Sequence, residues 1–145
     1  MIKPRVFIGS SLEGKRVANA IHAKLRYVAD CTVWTDGVFG LSAPTLASLM
    51  KQVEDSEFGI FVFSPDDVVE MRDKTCLTPR DNVVYELGLF SGRLGPERCF
   101  FVQPQSTPMH LPSDLAGIAY GEYEDHRLSD NAEAAVNVSA ARWDI

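Results

Sequence analysis

The strongest strand signal in the sequence is the run Phe58-Gly59-Ile60-Phe61-Val62-Phe63. The run carries no polar side chain, which is typical of a parallel strand covered by helices on both faces. A helical pattern over 44–55, opened by Pro44, comes before it, and its apolar positions Leu46, Leu49, Met50 and Val53 are predicted to face the core. The polar segment 70–79 follows and is predicted to be a loop. The run therefore predicts the central strand of an α/β domain.

Other short apolar runs alternate with helical patterns along the rest of the chain. We predict strands at 5–9, 31–34, 98–102 and 118–123, the last at a sheet edge. Further helices are predicted over 13–28, with Val17, Ile21, Leu25 and Val28 on one face, and from Ser129 to about 141. The alternation predicts a flavodoxin-like α/β fold with a mainly parallel five-stranded sheet and helices on both faces. Ligands of such sheets bind beyond the C-terminal strand ends, at a topological switch point.

The composition of the chain argues against several kinds of binding partner and bound metal. The chain of 145 residues has a net charge of −6, which argues against a nucleic-acid backbone or an anionic membrane as the main partner. The widely spaced Cys31, Cys76 and Cys99 indicate neither a zinc site nor a disulfide framework, and Cys31 and Cys99 are predicted to be buried thiols. No signal peptide and no apolar stretch of about 18 residues is found, so a cytoplasmic location is expected.

The segment 80–90 predicts an amphipathic helix with a carboxylate beside its apolar stripe. Val83, Leu87 and Phe90 share that stripe, and Glu86 lies about 60° from its centre at 3.6 residues per turn. Glu86 is therefore either a charge at the helix edge facing solvent or a carboxylate directed into a cleft. In a cleft, it could stabilise an oxocarbenium-like ribosyl cation and orient a water molecule. The pattern alone leaves both interpretations open.

Two further groups of candidate residues follow the first and second strands. Gly9, Ser10 and Ser11 precede a helix, where free N–H groups favour a phosphate, although plain N-capping explains the same residues. Trp34 and Phe39 flank a glycine-containing loop and could stack on a nucleobase or a nicotinamide ring. The alternative is that both aromatic residues belong to the core.

The remaining candidates lie near the start of the Glu86 helix. The adjacent Asp66 and Asp67 could bind ribose hydroxyls or a metal, although an aspartate after a proline more often caps a turn. Adjacent side chains diverge, so a shared metal is not predicted. Arg80 could hold a phosphate in a bidentate manner, or form a solvated pair with Asp81, itself an N-cap or first-turn acid. Asn82 lies one turn before Glu86 on the same flank.

These residues form part of a longer pattern. The segment 82–95 reads N-x-x-x-E-L-G-x-F-x-G-x-L-G, and with 63–67 and 111–118 it resembles a branch of bacterial TIR-like domains. That branch supplies the TIR module of effectors in cyclic-nucleotide anti-phage defence, including TIR–STING fusions and cyclic-pyrimidine-activated TIR proteins. The similarity extends from residue 5 to about residue 123.

The resemblance implies an NAD⁺ glycohydrolase in which Glu86 is the catalytic residue. Nicotinamide would leave and the product would be ADP-ribose or cyclic ADP-ribose; NAD⁺ is then the substrate, and neither a cofactor nor a metal is implied. The loop 36–42 would correspond to the mobile loop over the active site, so that Trp34 or Phe39 contacts the ring.

The resemblance also implies partners and a domain arrangement. Members are activated when their TIR domains assemble into filaments or oligomers, and they usually carry a second domain that senses a cyclic nucleotide. Residues 1–145 are therefore predicted to be the N-terminal catalytic TIR domain of a longer effector with a C-terminal sensor. Two alternatives are a TIR module that assembles without catalysis and a relative of the nucleoside deoxyribosyltransferases, which also use a glutamate.

Overall fold

The structure, a computed structural model, describes residues 2–36, 46–137, 143 and 145. The strands are β1 (Arg5–Ser11), β2 (Asp30–Asp36), β3 (Phe58–Val62), β4 (Asp67–Met71), β5 (Lys74–Thr78), β6 (Cys99–Pro104) and β7 (Ala119–Tyr123). The α-helices are α1 (Lys15–Leu25), α2 (Leu46–Asp55), α3 (Asp81–Leu94) and α4 (Ala132–Ala135).

Five of the strands form one parallel sheet in the order β2-β1-β3-β6-β7. The predicted flavodoxin-like α/β fold is confirmed, and so is the edge position of the last strand. The chain leaves β1 for β2 on one side and later returns to β3 on the other side. The strand order therefore reverses between β1 and β3, and the crevice beyond their carboxyl ends is the position where such folds bind ligands.

Two apolar layers cover the faces of the sheet. One packs α1 against the sheet through Val17 and Ile21, together with Val136 after α4. The other packs α2 and α3 through residues such as Leu49, Val53, Leu87 and Phe90. Because side chains alternate along β1, Val6 and Ile8 belong to the α1 layer and Phe7 to the α3 layer. The same alternation directs position 9 towards α3.

Helix boundaries differ from the prediction where the chain turns back to the sheet. The first helix ends at Leu25 rather than at Val28, which is 49% exposed, because a turn closed by Leu25 O returns the chain to β2. In α2, Leu49 and Val53 are buried as predicted, whereas Leu46 and Met50 are 57% and 41% exposed, since they lie off the stripe that meets α3. Pro44 lies outside the described residues.

The segment between β3 and α3 forms an antiparallel hairpin, β4–β5. The prediction of a loop over 70–79 is therefore wrong. Its two-residue turn has positive φ at both Arg72 (46°) and Asp73 (66°), as in a type I′ turn. That turn type normally uses Asn and Gly. The sequence signal was absent because neither residue is present.

The end of the chain also departs from the prediction. Asn131, not Ser129, caps α4, its Oδ1 accepting a hydrogen bond from the Ala134 N–H. The helix ends after one turn because Val136 extends to form an antiparallel bridge with Tyr123 of β7. Residues 138–141 of the predicted helix lie outside the described part of the chain.

The two thiols that were predicted to be buried differ. Cys99 is buried at the start of β6, whereas Cys31 on the outer strand β2 is only partly covered. Burial raises the pKa of Cys99 to about 12 and that of Cys31 to about 11. Within the described ranges, no helix is long and apolar enough to cross a membrane.

Candidate active site

Glu86 lies inside the buried face of α3. The helix buries Val83, Glu86, Leu87 and Phe90, and Glu86 is only 2% exposed. α3 packs on β3, β1 and β6 of the sheet and also contacts α2, so the face that carries Glu86 is covered. The carboxylate therefore does not face solvent, although the helical pattern alone placed it at the border of the stripe.

Gly9 provides the space that the Glu86 carboxylate occupies. A Cβ atom at Gly9 would lie 2.8 Å from Glu86 Oε2, and 3.0 and 3.1 Å from ring atoms of Phe7 and Phe61. The sequence suggested a phosphate-binding turn here, but Gly9 is a strand residue paired with Trp34 and Phe61. Glycine leaves free the space that the carboxylate occupies, and a Cβ atom there would force the carboxylate to shift.

Aromatic rings surround this position. Phe7 lies 4.3 Å from Phe90, 5.9 Å from Phe61 and 6.0 Å from Trp34, measured between ring centroids. Trp34 packs against this group and remains partly exposed, so it contributes to the core without being fully enclosed by it. Phe39 lies outside the described residues.

A polar network joins the ends of β1 and β3 across the switch point. Ser11 Oγ accepts a hydrogen bond from the Gly14 N–H at 3.1 Å and lies 3.2 Å from Ser64 Oγ, which donates to Asp66 Oδ1 at 2.6 Å. Asp66 Oδ2 and Ser10 Oγ are buried and have no hydrogen-bond partner among the residues that the structure describes. The N-cap of α1 is Gly14 rather than either serine, because β1 continues through Ser11.

Arg80 is held by two carboxylates. Its Nε lies 2.8 Å from Asp67 Oδ2 and its Nη2 lies 3.0 Å from Glu13 Oε1. Hydrogen bonds to Asp67 and then to Glu13 raise the pKa of Arg80. The pKa of Glu13 is lowered, first by its own backbone N–H and then by Arg80. Arg80 forms these two ion pairs in place of the solvated pair with Asp81 that the sequence left open as an alternative.

The remaining predicted residues lie in the first turn of α3. Arg80 is the N-cap residue, and Asp81 is a first-turn acid whose Oδ1 accepts a hydrogen bond from the Asn82 N–H at 2.7 Å. Both Asp81 and Asn82 are exposed. They therefore face solvent at the start of α3, unlike the buried Glu86 one turn further on.

The structure adds Ser64 and Glu13 to the candidate residues, and it gives Asp67 a contact that the sequence did not predict. Ser64 follows β3 directly, and that strand end was already expected to face the ligand crevice. Glu13 and Asp67 are defined only by their contacts with Arg80, which lies 67 and 13 residues away along the chain. No local pattern could have shown these two contacts.

Other features of the surface lie apart from this site. A cavity of about 580 Å³ borders the edge strand β7 and is lined by residues such as Tyr120, Glu122 and Trp143. Its lining includes none of the site residues described above. Across the described ranges, no cluster of three or more His, Cys, Asp or Glu residues could hold a metal ion.

Fold and site together define a flavodoxin-like α/β domain with a buried carboxylate beside the β1/β3 switch point. The chain belongs to the family described as the TIR domain of CAP12/Pycsar effector proteins, whose model matches residues 5–125. This is a family of anti-phage defence effectors. The resemblance noted in the sequence is thereby confirmed.

Several curated relatives match most of the chain. It is 44% identical to CD-NTase-associated protein 12 of Flavobacterium daejeonense, over 85% of this chain and 39% of the relative. It is 41% identical to the Pycsar effector protein PaPycTIR of Pseudomonas aeruginosa, over 91% of this chain and 43% of the relative. It is 42% identical to the Pycsar effector protein XpPycTIR of Xanthomonas perforans, over 95% of this chain and 46% of the relative. The chain therefore spans less than half the length of these relatives.

A solved structure supports the fold assignment. A diflavin flavoprotein A3 from Nostoc sp. superposes with a TM-score of 0.53, covering 93% of this chain and 90% of that chain. Its sequence identity is 14%, so the likeness concerns the flavodoxin-like fold alone.

Proposed function

We propose that this domain is an NAD⁺ glycohydrolase, an enzyme that cleaves the bond between nicotinamide and ribose, and that Glu86 is its catalytic residue. The observation that carries the proposal is the burial of the Glu86 carboxylate over Gly9, beside the switch point of a TIR domain. Glutamate is among the residues least often fully buried, and almost always only where it is paired. Buried acids that lie beside a cleft are candidates for catalysis.

The proposed reaction needs only a carboxylate and a nucleophile. The C1′–N bond breaks, its electron pair passes to the pyridinium nitrogen, and nicotinamide leaves as a neutral molecule. Glu86 stabilises the resulting ribosyl oxocarbenium ion through its negative charge. Water then attacks C1′ and loses a proton to Glu86 or to solvent, which gives ADP-ribose. Attack by the adenine ring of the same molecule would give cyclic ADP-ribose.

The surrounding residues suit the parts of such a substrate. The partly exposed ring of Trp34 is proposed to stack on nicotinamide, together with Phe39 from the segment outside the described residues. The buried Oδ2 of Asp66 is an acceptor for a ribose hydroxyl. The serines at the end of β1 and the amide of Asn82 are proposed to contact the remaining polar groups of NAD⁺, which is a substrate and not a cofactor.

The burial of Glu86 also bears on regulation. A carboxylate that is 2% exposed cannot reach a substrate until neighbouring segments move. We therefore propose that TIR–TIR assembly opens or completes the site, driven by a cyclic nucleotide that binds a sensor region of the longer protein. The same low exposure also favours a second candidate function, an assembly module without catalysis.

Activity under forced assembly tests this proposal. The domain is fused to an oligomerising partner, and nicotinamide release from NAD⁺ is compared with that of the unfused domain at equal concentration. We expect release from the assembled form and little from the monomer, with no effect of a chelator because no metal takes part. Release of a free base from deoxynucleosides instead of NAD⁺ would indicate the deoxyribosyltransferase alternative, and no turnover of either would indicate the assembly module.

A further inference from the structure

Arg80 connects the three segments that supply the candidate site. As the N-cap of α3, it begins the helix that carries Glu86. Its side chain contacts Glu13, in the turn that follows Ser11 of β1, and Asp67, which begins the hairpin after β3. One guanidinium therefore joins the ends of the two switch-point strands to the start of the catalytic helix.

The charges at Arg80 argue against a phosphate ligand. Bidentate binding of a phosphate needs two parallel N–H groups of a guanidinium. Here Nε is used by Asp67 and Nη2 by Glu13. With Asp66 and Asp81 also close in sequence, the local charge is acidic, and the two carboxylates already offset the positive charge that would attract a pyrophosphate to Arg80.

We propose that Arg80 is a positioning residue, which fixes the loops after β1 and β3 relative to α3 and so sets the place of the Glu86 carboxylate. The inference rests on the proposed NAD⁺ glycohydrolase function and gives Arg80 a role other than substrate binding. Glu13 and Asp67 are the other two members of this three-residue clamp.

A positioning role and a purely stabilising role of these ion pairs differ in their expected effects on turnover and on stability. Each ion pair is partly exposed, with side-chain exposures of 25% for Arg80, 54% for Glu13 and 44% for Asp67. Exposed ion pairs contribute little to folding stability. A shift of about 1 Å at a reacting group can nevertheless reduce the rate roughly 100-fold. Loss of the clamp should therefore affect turnover much more than stability.

Steady-state kinetics of the assembled protein test the assignment through Arg80→Gln, the double variant Glu13→Gln/Asp67→Asn, and the triple variant. The control is Arg127→Gln, which removes a comparable exposed pair with Glu124, after the edge strand β7 and outside the residues of the candidate site. We expect kcat to fall at least about 10-fold in both Arg80→Gln and the acid double variant, with little change in KM. The triple variant should be no worse than Arg80→Gln, because all three residues act as one unit.

Two outcomes would overturn the proposal. If Arg80 binds phosphate, Arg80→Gln raises KM and the acid double variant lowers it, because the guanidinium is released. If the clamp is only structural, the melting temperature falls while kcat at 25 °C stays the same.

If the wild-type protein releases no nicotinamide, the proposed function fails separately, and amide hydrogen exchange then tests the clamp. Faster exchange over residues 10–14 and 64–68 in Arg80→Gln than in Arg127→Gln is expected. Equal exchange in the two variants would contradict the clamp.

Discussion

The missing side chain of Gly9 shapes the site as directly as the carboxylate of Glu86. The helical pattern of α3 placed Glu86 about 60° from the stripe centre, a position that either interpretation could explain. Its burial depends on a glycine 77 residues earlier, in a strand that α3 crosses. Contacts between distant segments of this kind are not encoded in any local pattern, so the sequence identified the residue but not its environment.

Gly9→Ala should therefore change the position of the Glu86 carboxylate while leaving the protein folded. The new methyl group would lie 2.8 Å from Glu86 Oε2, an atom that can move, and 3.0–3.1 Å from rings that can shift slightly. We expect a stability loss of about 1–3 kcal/mol by urea unfolding, together with a fall in NAD⁺ turnover larger than the unfolded fraction explains.

Gly88→Ala is the matched control, since a Cβ atom there meets nothing within 4 Å. It lies on the exposed side of α3 and should raise stability by up to about 1 kcal/mol, because alanine favours the helix. Equal effects of the two substitutions would contradict the close approach of Glu86 to Gly9.

At the level of elements, apolar runs predicted the five-stranded sheet because fully buried parallel strands lack polar residues. The hairpin β4–β5 was missed for an equally physical reason. Its turn uses Arg72 and Asp73 at positive φ, in place of the Asn-Gly or Asp-Gly pair that marks such a turn in a sequence. The last helix is shorter than predicted. It ends where Val136 pairs with β7, a contact that the helical pattern does not show.

The hairpin turn offers a test of this account. Replacing Arg72-Asp73 with Asn-Gly should stabilise the protein by about 1 kcal/mol, because both residues tolerate positive φ. Thermal unfolding would measure the change, with the exposed substitution Lys51→Gln on α2 as a neutral control. An unchanged or lower melting temperature would indicate a different turn.

On the scale of the whole molecule, buried ionisable groups make stability depend on alkaline pH. Burial raises the pKa of the Cys99 thiol to about 12. Burial, and then the charges of Asp125 and Asp66, also raises the pKa of Tyr123, whose hydroxyl donates to Phe63 O at 2.8 Å. In the unfolded chain these groups ionise near their ordinary values of about 8.5 and 10.

The folded form thus binds these protons more tightly than the unfolded form. The stability is fully present below about pH 8.5 and is lost as the pH rises towards 12. The decrease per thiol is at most about 1.4 kcal/mol per pH unit. Urea unfolding at pH 7.5 and pH 10 would measure it, and Cys99→Ala should flatten the slope. A slope that is unchanged in Cys99→Ala would show that the thiol is not responsible.

The central claim is that the buried carboxylate of Glu86 cleaves NAD⁺, and one comparison tests it most directly. Nicotinamide release is measured for assembled wild-type protein, for Glu86→Gln and for Glu54→Gln, which changes an exposed glutamate on α2. We predict that Glu86→Gln loses activity by at least about 1,000-fold while melting as a folded protein, because its neutral amide cannot stabilise the ribosyl cation, and that Glu54→Gln keeps wild-type activity. Sustained release of nicotinamide by folded, assembled Glu86→Gln would contradict the account.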